Sequence, residues 1–125
     1  MKIVKANTVP KEVAKGALYF GGHIDFECLA ARPDSADLDI YMVNFAPGAR
    51  NRLHAHRVDQ ILIATSGKGI VADAEGEHLM EPGDVAVIPA GHPHWHGAAA
   101  DAAFSHLAIS RQGDEITIVD GGDGA

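Results

Sequence analysis

Turn-forming residues punctuate this chain at short intervals, and that limits its possible folds more than any other feature. Fourteen glycines and six prolines interrupt 125 residues. Between them lie apolar runs that are short for helices but of ordinary length for strands. Residues 38–45 read as a strand, flanked by the polar stretch 32–37 and by Pro47-Gly48. QILIAT at 60–65 is a compact β-branched run that stops at Ser66-Gly67. Runs at 69–72 and 77–80 follow, separated by a turn at 73–76, and 85–88 lies between Pro82-Gly83-Asp84 and Pro89-Ala90-Gly91. Runs at 104–109 and 115–119 close the series around a turn at 111–114. Such spacing predicts an all-β barrel or sandwich. A single helical turn is expected at 10–17, and a frayed tail at 121–125.

The length fits one domain spanning 1–125, with its barrel core at about 16–120. A hydrophobic share of 46% is enough for a core that folds without disulfides or metal staples. A formal net charge of −7, with basic residues few and scattered, argues against nucleic acid and against an anionic membrane surface as partners. The single cysteine, Cys28, forms no internal disulfide and reads as a small buried hydrophobe. The polar start MKIVKANTVP is unlike a signal peptide, and no apolar run approaches the ~20 residues of a membrane helix. A cytoplasmic protein is the expectation.

Eight histidines are many for a chain of this size. His54 and His56 stand two apart in RLHAHRVDQ, a spacing that on a strand aims both imidazoles to one side. Gln60 opens the apolar run QILIAT, where a buried amide needs a partner: a metal ion, or neighbouring backbone. GHPHWHG at 91–97 holds His92, His94 and His96, but Pro93 and the glycines argue against a regular strand, so periodicity does not choose among the three. His106, in FSHLAI, is out of place on an apolar strand, and a hydrogen-bonded core histidine is the ordinary account of it. Trp95 is expected to pack on the barrel exterior or at an interface. His92 and His96 read as groups at the pocket edge or as exposed loop residues, and His23 and His78 as surface or structural ones.

Two segments match a known pattern. Gly48-x5-His54-x-His56-x3-Gln60-x6-Gly67 and Gly83-x5-Pro89-x-Gly91-x2-His94 resemble the two signature motifs of the cupin superfamily. The resemblance implies an all-β, single-domain double-stranded β-helix, or jelly-roll barrel, holding a metal through His54, His56, Gln60 and His94. Gln60 stands where glutamate is usual, and Ala98 where the second motif usually ends in asparagine. With neutral ligands only, a divalent ion would keep its full charge, binding less tightly but acting as a stronger Lewis acid that attracts anions. A trivalent state would be less well stabilised.

From about residue 16 to 110 the chain resembles, more closely, the small bacterial cupins that act as manganese-dependent hydroxynitrile lyases. PGARNRLHAH, EPGDVAVIPAGHPHWHGAA and the run HWHGAAADAAFSHLAI carry the likeness. It implies cyanohydrin cleavage to an aldehyde and HCN, with the metal as Lewis acid and His106 as the acid/base. Tyr41, Val43, His96 and Ser110 are the expected pocket positions and would set substrate fit. Mn²⁺ is the ion the resemblance implies; the same ligands accept Fe²⁺, Ni²⁺, Cu²⁺ or Zn²⁺. A cupin dioxygenase and a non-catalytic small-molecule binder are the alternatives. A homodimer or larger even assembly, paired through edge strands, is expected.

Overall fold

The computed structural model describes residues 1–119, so the expected frayed tail lies outside the described residues. Among them are thirteen strands and no helix. A six-stranded sheet has the order β1-β3-β4-β12-β7-β10, built from Glu12–Val13, Ile24–Ala30, Leu38–Phe45, Phe104–Arg111, Gln60–Gly67 and Val85–Ile88. A five-stranded sheet has the order β2-β5-β11-β8-β9, from Tyr19–Phe20, Arg50–Asn51, Trp95–Ala98, Gly69–Asp73 and Gly76–Met80. β6 (His54–His56) and β13 (Ile116–Ile118) form a separate antiparallel ribbon.

Period-two alternation sorts each strand. On β7, Gln60, Leu62 and Ala64 point inward and are buried, while Ile61 and Ile63 point out. β12 lies between β4 and β7, with His106 opposite Val43 on one side and Ala64 on the other. A late strand is thereby placed in the middle of the larger sheet, where His106 becomes an interior residue with no exposed surface. Phe45, Phe104, Leu62, Ile24 and Ile88 form the core beside it.

The helical turn expected at 10–17 is absent. Glu12 and Val13 instead pair with Phe26 and Asp25 at the sheet edge, and Ala14 N–H donates to the Ile24 carbonyl at 2.9 Å. Bonds to a ready strand edge replace the local bonds of a helical turn too short to be stable alone. The run 91–97 also departs from expectation, because Trp95–Ala98 is a strand that pairs with β8 and β5. Position 97 requires glycine there, because a Cβ would strike Arg50 Cβ and the Ala49 carbonyl. Cys28 is exposed, not buried: it follows Ile24 and Phe26 on one face of β3, and that face opens to solvent beyond the core. Trp95 is buried on the side of β11 away from His94 and His96, under the Arg50 guanidinium 3.6 Å from its ring centre.

The outer face of the larger sheet carries two aliphatic rows. Val87, Ile61, Ile109 and Ile40 are successive cross-strand partners, as are Val85, Ile63, Leu107 and Met42. Val87 is 71% exposed and Val85 54%, although the solvent face of an antiparallel sheet is ordinarily polar.

Gly67, which ends the first motif, has φ +79°, and a Cβ there would run into the Ala103 carbonyl. Gly76 also has positive φ (+130°) but faces open space. Gly67→Ala is expected to cost at least ~3 kcal/mol, against ~1 kcal/mol for Gly76→Ala. Denaturant unfolding of the two variants compares them directly.

Candidate metal centre

β6 delivers His54 and His56 on one side of the ribbon, and the turn before β11 brings His94 against them. His54 N–H donates to the His94 carbonyl and His94 N–H to the His54 carbonyl, both at 2.9 Å. A third bond, from Gly91 N–H to the His56 carbonyl at 2.8 Å, tethers the second motif to the first. The imidazole planes are held as firmly. His54 Nδ1–H donates to the Arg52 carbonyl at 2.6 Å, His56 Nδ1–H to Asp114 Oδ2 at 2.6 Å, and His94 Nδ1–H to the His92 carbonyl at 2.9 Å.

With Nδ1–H committed outward, the neutral form of each ring presents a bare lone pair at Nε2. These lone pairs converge. His54 Nε2 and His56 Nε2 are 3.1 Å apart, and one ligand atom from each of the three residues lies within 4.8 Å of the others. Among the described residues, His94 Nε2 and the side-chain oxygen of Gln60 are buried without a hydrogen-bond partner. Two imidazole lone pairs facing each other repel, and a buried acceptor left unpaired costs ~1–3 kcal/mol. A cation among them reverses both penalties. The donor set therefore fits a divalent metal: three neutral imidazoles with outward N–H groups bonded, as metal-binding histidines ordinarily have, and an amide oxygen beside them.

Burial reinforces that reading. Desolvation pushes the His54 pKa down to about 3 and that of His94 to about 4. Both are unprotonated near neutral pH, as ligation requires.

A second imidazole pair adjoins the first cluster. His96 lies in the same cavity, its ring centre 5.7 Å from those of both His54 and His94. Its Nδ1 is 2.9 Å from His106 Nε2. His106 Nδ1 faces the Leu107 carbonyl at 3.2 Å, and a carbonyl only accepts, so that nitrogen holds the hydrogen. His106 Nε2 is then an acceptor and His96 Nδ1–H the donor to it. Burial lowers the His106 pKa to about 4 and takes that of His96 well below its ordinary value, the neighbouring His106 adding to the effect. Both rings are neutral near pH 7.

These groups open into a cavity of about 360 Å³, within the range of small-ligand pockets. Tyr19, Phe26, Tyr41, Val43 and Ala108 supply apolar wall, while Asp39, Ser110 and Asp114 supply polar groups. The expected pocket positions Tyr41, Val43, His96 and Ser110 all line it, as do His106, His54, His56 and Gln60. His92 is elsewhere: its side chain is exposed and bonded to Asp73 at 2.9 Å, and it serves His94 through its backbone carbonyl alone. His23 is exposed beside Asp25, and His78 is exposed on β9. Asp114 and Asn51 escaped the sequence reading. Asp114 lies 58 residues from His56, and β13 brings it there by pairing with β6. Asn51 sits within the first motif's variable stretch, and only the inward turn of β5 marks it as buried.

A family model for the cupin domain matches residues 41–110. The chain belongs to the cupin family. This cupin is 42% identical over 98 residues to an (R)-mandelonitrile lyase of Granulicella tundricola, across 77% of this chain and 74% of that one. Its fold is similar to that of a cupin-like protein from Thermotoga maritima, with a TM-score of 0.80, 29% identity and coverage of 100% and 92% of the two chains. A polyketide cyclase from Streptomyces resistomycificus is also similar in fold, with a TM-score of 0.86 at 17% identity over 95% and 85% of the chains.

The Asp114 carboxylate fixes the ring of His56 and holds its Nε2 toward that of His54. Asp114→Ala is expected to weaken metal binding ~10–100-fold in a chelator competition. Removing the exposed carboxylate of Asp101 should leave affinity unchanged.

Proposed function

We propose that this cupin is a metal-dependent lyase that splits cyanohydrins into an aldehyde and HCN. What supports the reading most is the likeness to an (R)-mandelonitrile lyase, joined to a cavity in which a buried neutral imidazole pair adjoins the cluster of Nε2 lone pairs. His54, His56, His94 and Gln60 would hold the ion, with Mn²⁺ as the proposed metal. Bound there, a divalent cation supplies Lewis acidity toward a hydroxyl or cyanide group.

The chain's own residues carry the proton. As the cyanohydrin C–C bond breaks, its electron pair leaves with cyanide, the carbinol oxygen becomes a carbonyl, and the hydroxyl proton needs an acceptor. His106 is the proposed acid/base, acting together with His96. In this reading a proton taken up at His96 Nε2 releases the Nδ1 hydrogen of that ring along the 2.9 Å bond to His106 Nε2, and the reverse transfer returns a proton to cyanide as HCN. Tyr19, Phe26 and Tyr41 offer aromatic wall for an aryl substituent, while Asp39 and Asp114 in the lining favour a neutral substrate over a carboxylate. Manganese-loaded protein should release cyanide from mandelonitrile, and both metal removal and His106→Ala should lower the rate at least ~100-fold. No release from protein holding stoichiometric metal would refute the reading. Oxygen uptake by iron-loaded protein would then favour the dioxygenase alternative.

The partner we propose is a second copy of the chain, to which the aliphatic rows of the larger sheet offer an uncharged face. Those eight side chains bear no charge on a chain of net charge −7, and a second copy brings an identical uncharged face to meet them. Light scattering should give twice the chain mass, falling to one chain for Val87→Glu; a wild-type mass of one chain would contradict the pairing.

A further inference from the structure

Two carboxylates line the cavity, and the fold uses them differently. Both oxygens of Asp114 are bonded, Oδ2 to His56 at 2.6 Å and Oδ1 to the Arg57 backbone N–H at 3.0 Å. Asp39 takes a single bond, into Oδ1, from the Gln112 side-chain amide. Its Oδ2 accepts none from the described residues, and no lysine or arginine among them lines the cavity to neutralise it.

Strand register places that carboxylate relative to the metal cluster. Ser110 on β12 is the cross-strand partner of Asp39 on β4 and of Gln60 on β7. The three form one row across the sheet, and all of them line the cavity. Neighbouring strands lie ~4.8 Å apart, so the row sets the backbone of Asp39 ~10 Å from that of Gln60. Ser110, between them, is small and fills little of the gap. Tyr41 and Val43 follow Asp39 on the same face of β4, and Tyr41 meets Phe26 edge to face with ring centres 5.9 Å apart. The space that starts at Gln60 therefore runs beside aromatic wall and ends at a group that only accepts hydrogen bonds.

We infer that Asp39 is a specificity-determining residue, whose Oδ2 accepts the ring hydroxyl of a para-hydroxylated aryl carbinol seated with its carbinol end at Gln60 and the histidines. The inference deepens the lyase reading and rests on it for the nitrile, which makes para-hydroxylated mandelonitriles the preferred substrate class. Seating of the ring does not itself depend on cleavage. A methyl group in place of the ring hydroxyl leaves the carboxylate facing an apolar group, and a carboxylate there is repelled. A cationic substituent would meet the same oxygen, but it would share the cavity with a divalent ion whose neutral ligands leave it its full charge. A hydroxyl supplies the donor without a charge.

Benzyl alcohols test the seating without turnover, since they keep the carbinol and the ring but lack the nitrile. The measurement is calorimetric titration of manganese-loaded protein at neutral pH with 4-hydroxybenzyl alcohol and with 4-methylbenzyl alcohol. The second matches the first in size but offers no donor on the ring. Wild-type protein should bind the hydroxylated alcohol ~10-fold or more tightly, the effect expected of a hydrogen bond to a charged acceptor. Asp39→Asn keeps the shape and reverses the polarity: with its oxygen still facing Gln112, its amide nitrogen faces the cavity as a donor. The preference should then fall to within about threefold of none. Wild-type protein that takes both alcohols equally, or neither, overturns the inference, even if the variant does not fold. A folded Asp39→Asn that keeps the wild-type preference overturns it as well. Failure of the wild-type protein to release cyanide from mandelonitrile removes the proposed reaction instead, and leaves the titration to decide the role of Asp39.

Discussion

Three outward hydrogen bonds organise this molecule. By committing the Nδ1–H groups of His54, His56 and His94 to a backbone carbonyl, a carboxylate and a second carbonyl, the fold leaves three Nε2 lone pairs facing inward. That arrangement is unfavourable alone and favourable around a cation, so the site holds part of its stability in reserve for a metal. The reciprocal backbone bridge between His54 and His94 transmits the constraint to the chain. It joins β6 to the turn before β11 and so couples the two motifs, which are otherwise far apart in sequence. The neighbouring imidazole pair extends the principle, since its hydrogen positions too follow from an acceptor fixed in the sheet, the Leu107 carbonyl.

Much of the architecture was legible because β-strand signals here are local. The runs at 38–45 and 85–88 match observed strands end to end, since glycine and proline bracket them and alternation fills them. The all-β class and the cupin motifs followed from such punctuation. The cluster of His54, His56 and His94 was legible for another reason: glycine and proline turns keep fixed offsets from the residues they aim.

What escaped depends on distance in sequence. Val13 carries no local mark of a strand; it is one because the edge of β3 offers hydrogen bonds to it. Cys28 has a composition suited to burial, yet where β3 runs past the core there is nothing to bury it. Asp114 becomes the partner of His56 only after β13 folds back on β6. Asn51 is one polar residue among several in GARNRLH, and its bond to the His96 backbone forms when β5 meets β11. Such residues support the site by contacts made across strands, which single-chain periodicity does not encode.

The central claim is that His54, His56, His94 and Gln60 together hold one divalent ion. A crystal structure of metal-loaded protein, with anomalous scattering recorded at the absorption edge of the metal, tests it most directly. The account predicts a single anomalous peak per chain about 2 Å from all three Nε2 atoms and from the Gln60 side-chain oxygen. A chain that takes up stoichiometric metal elsewhere, or shows no peak among these four side chains, would contradict it.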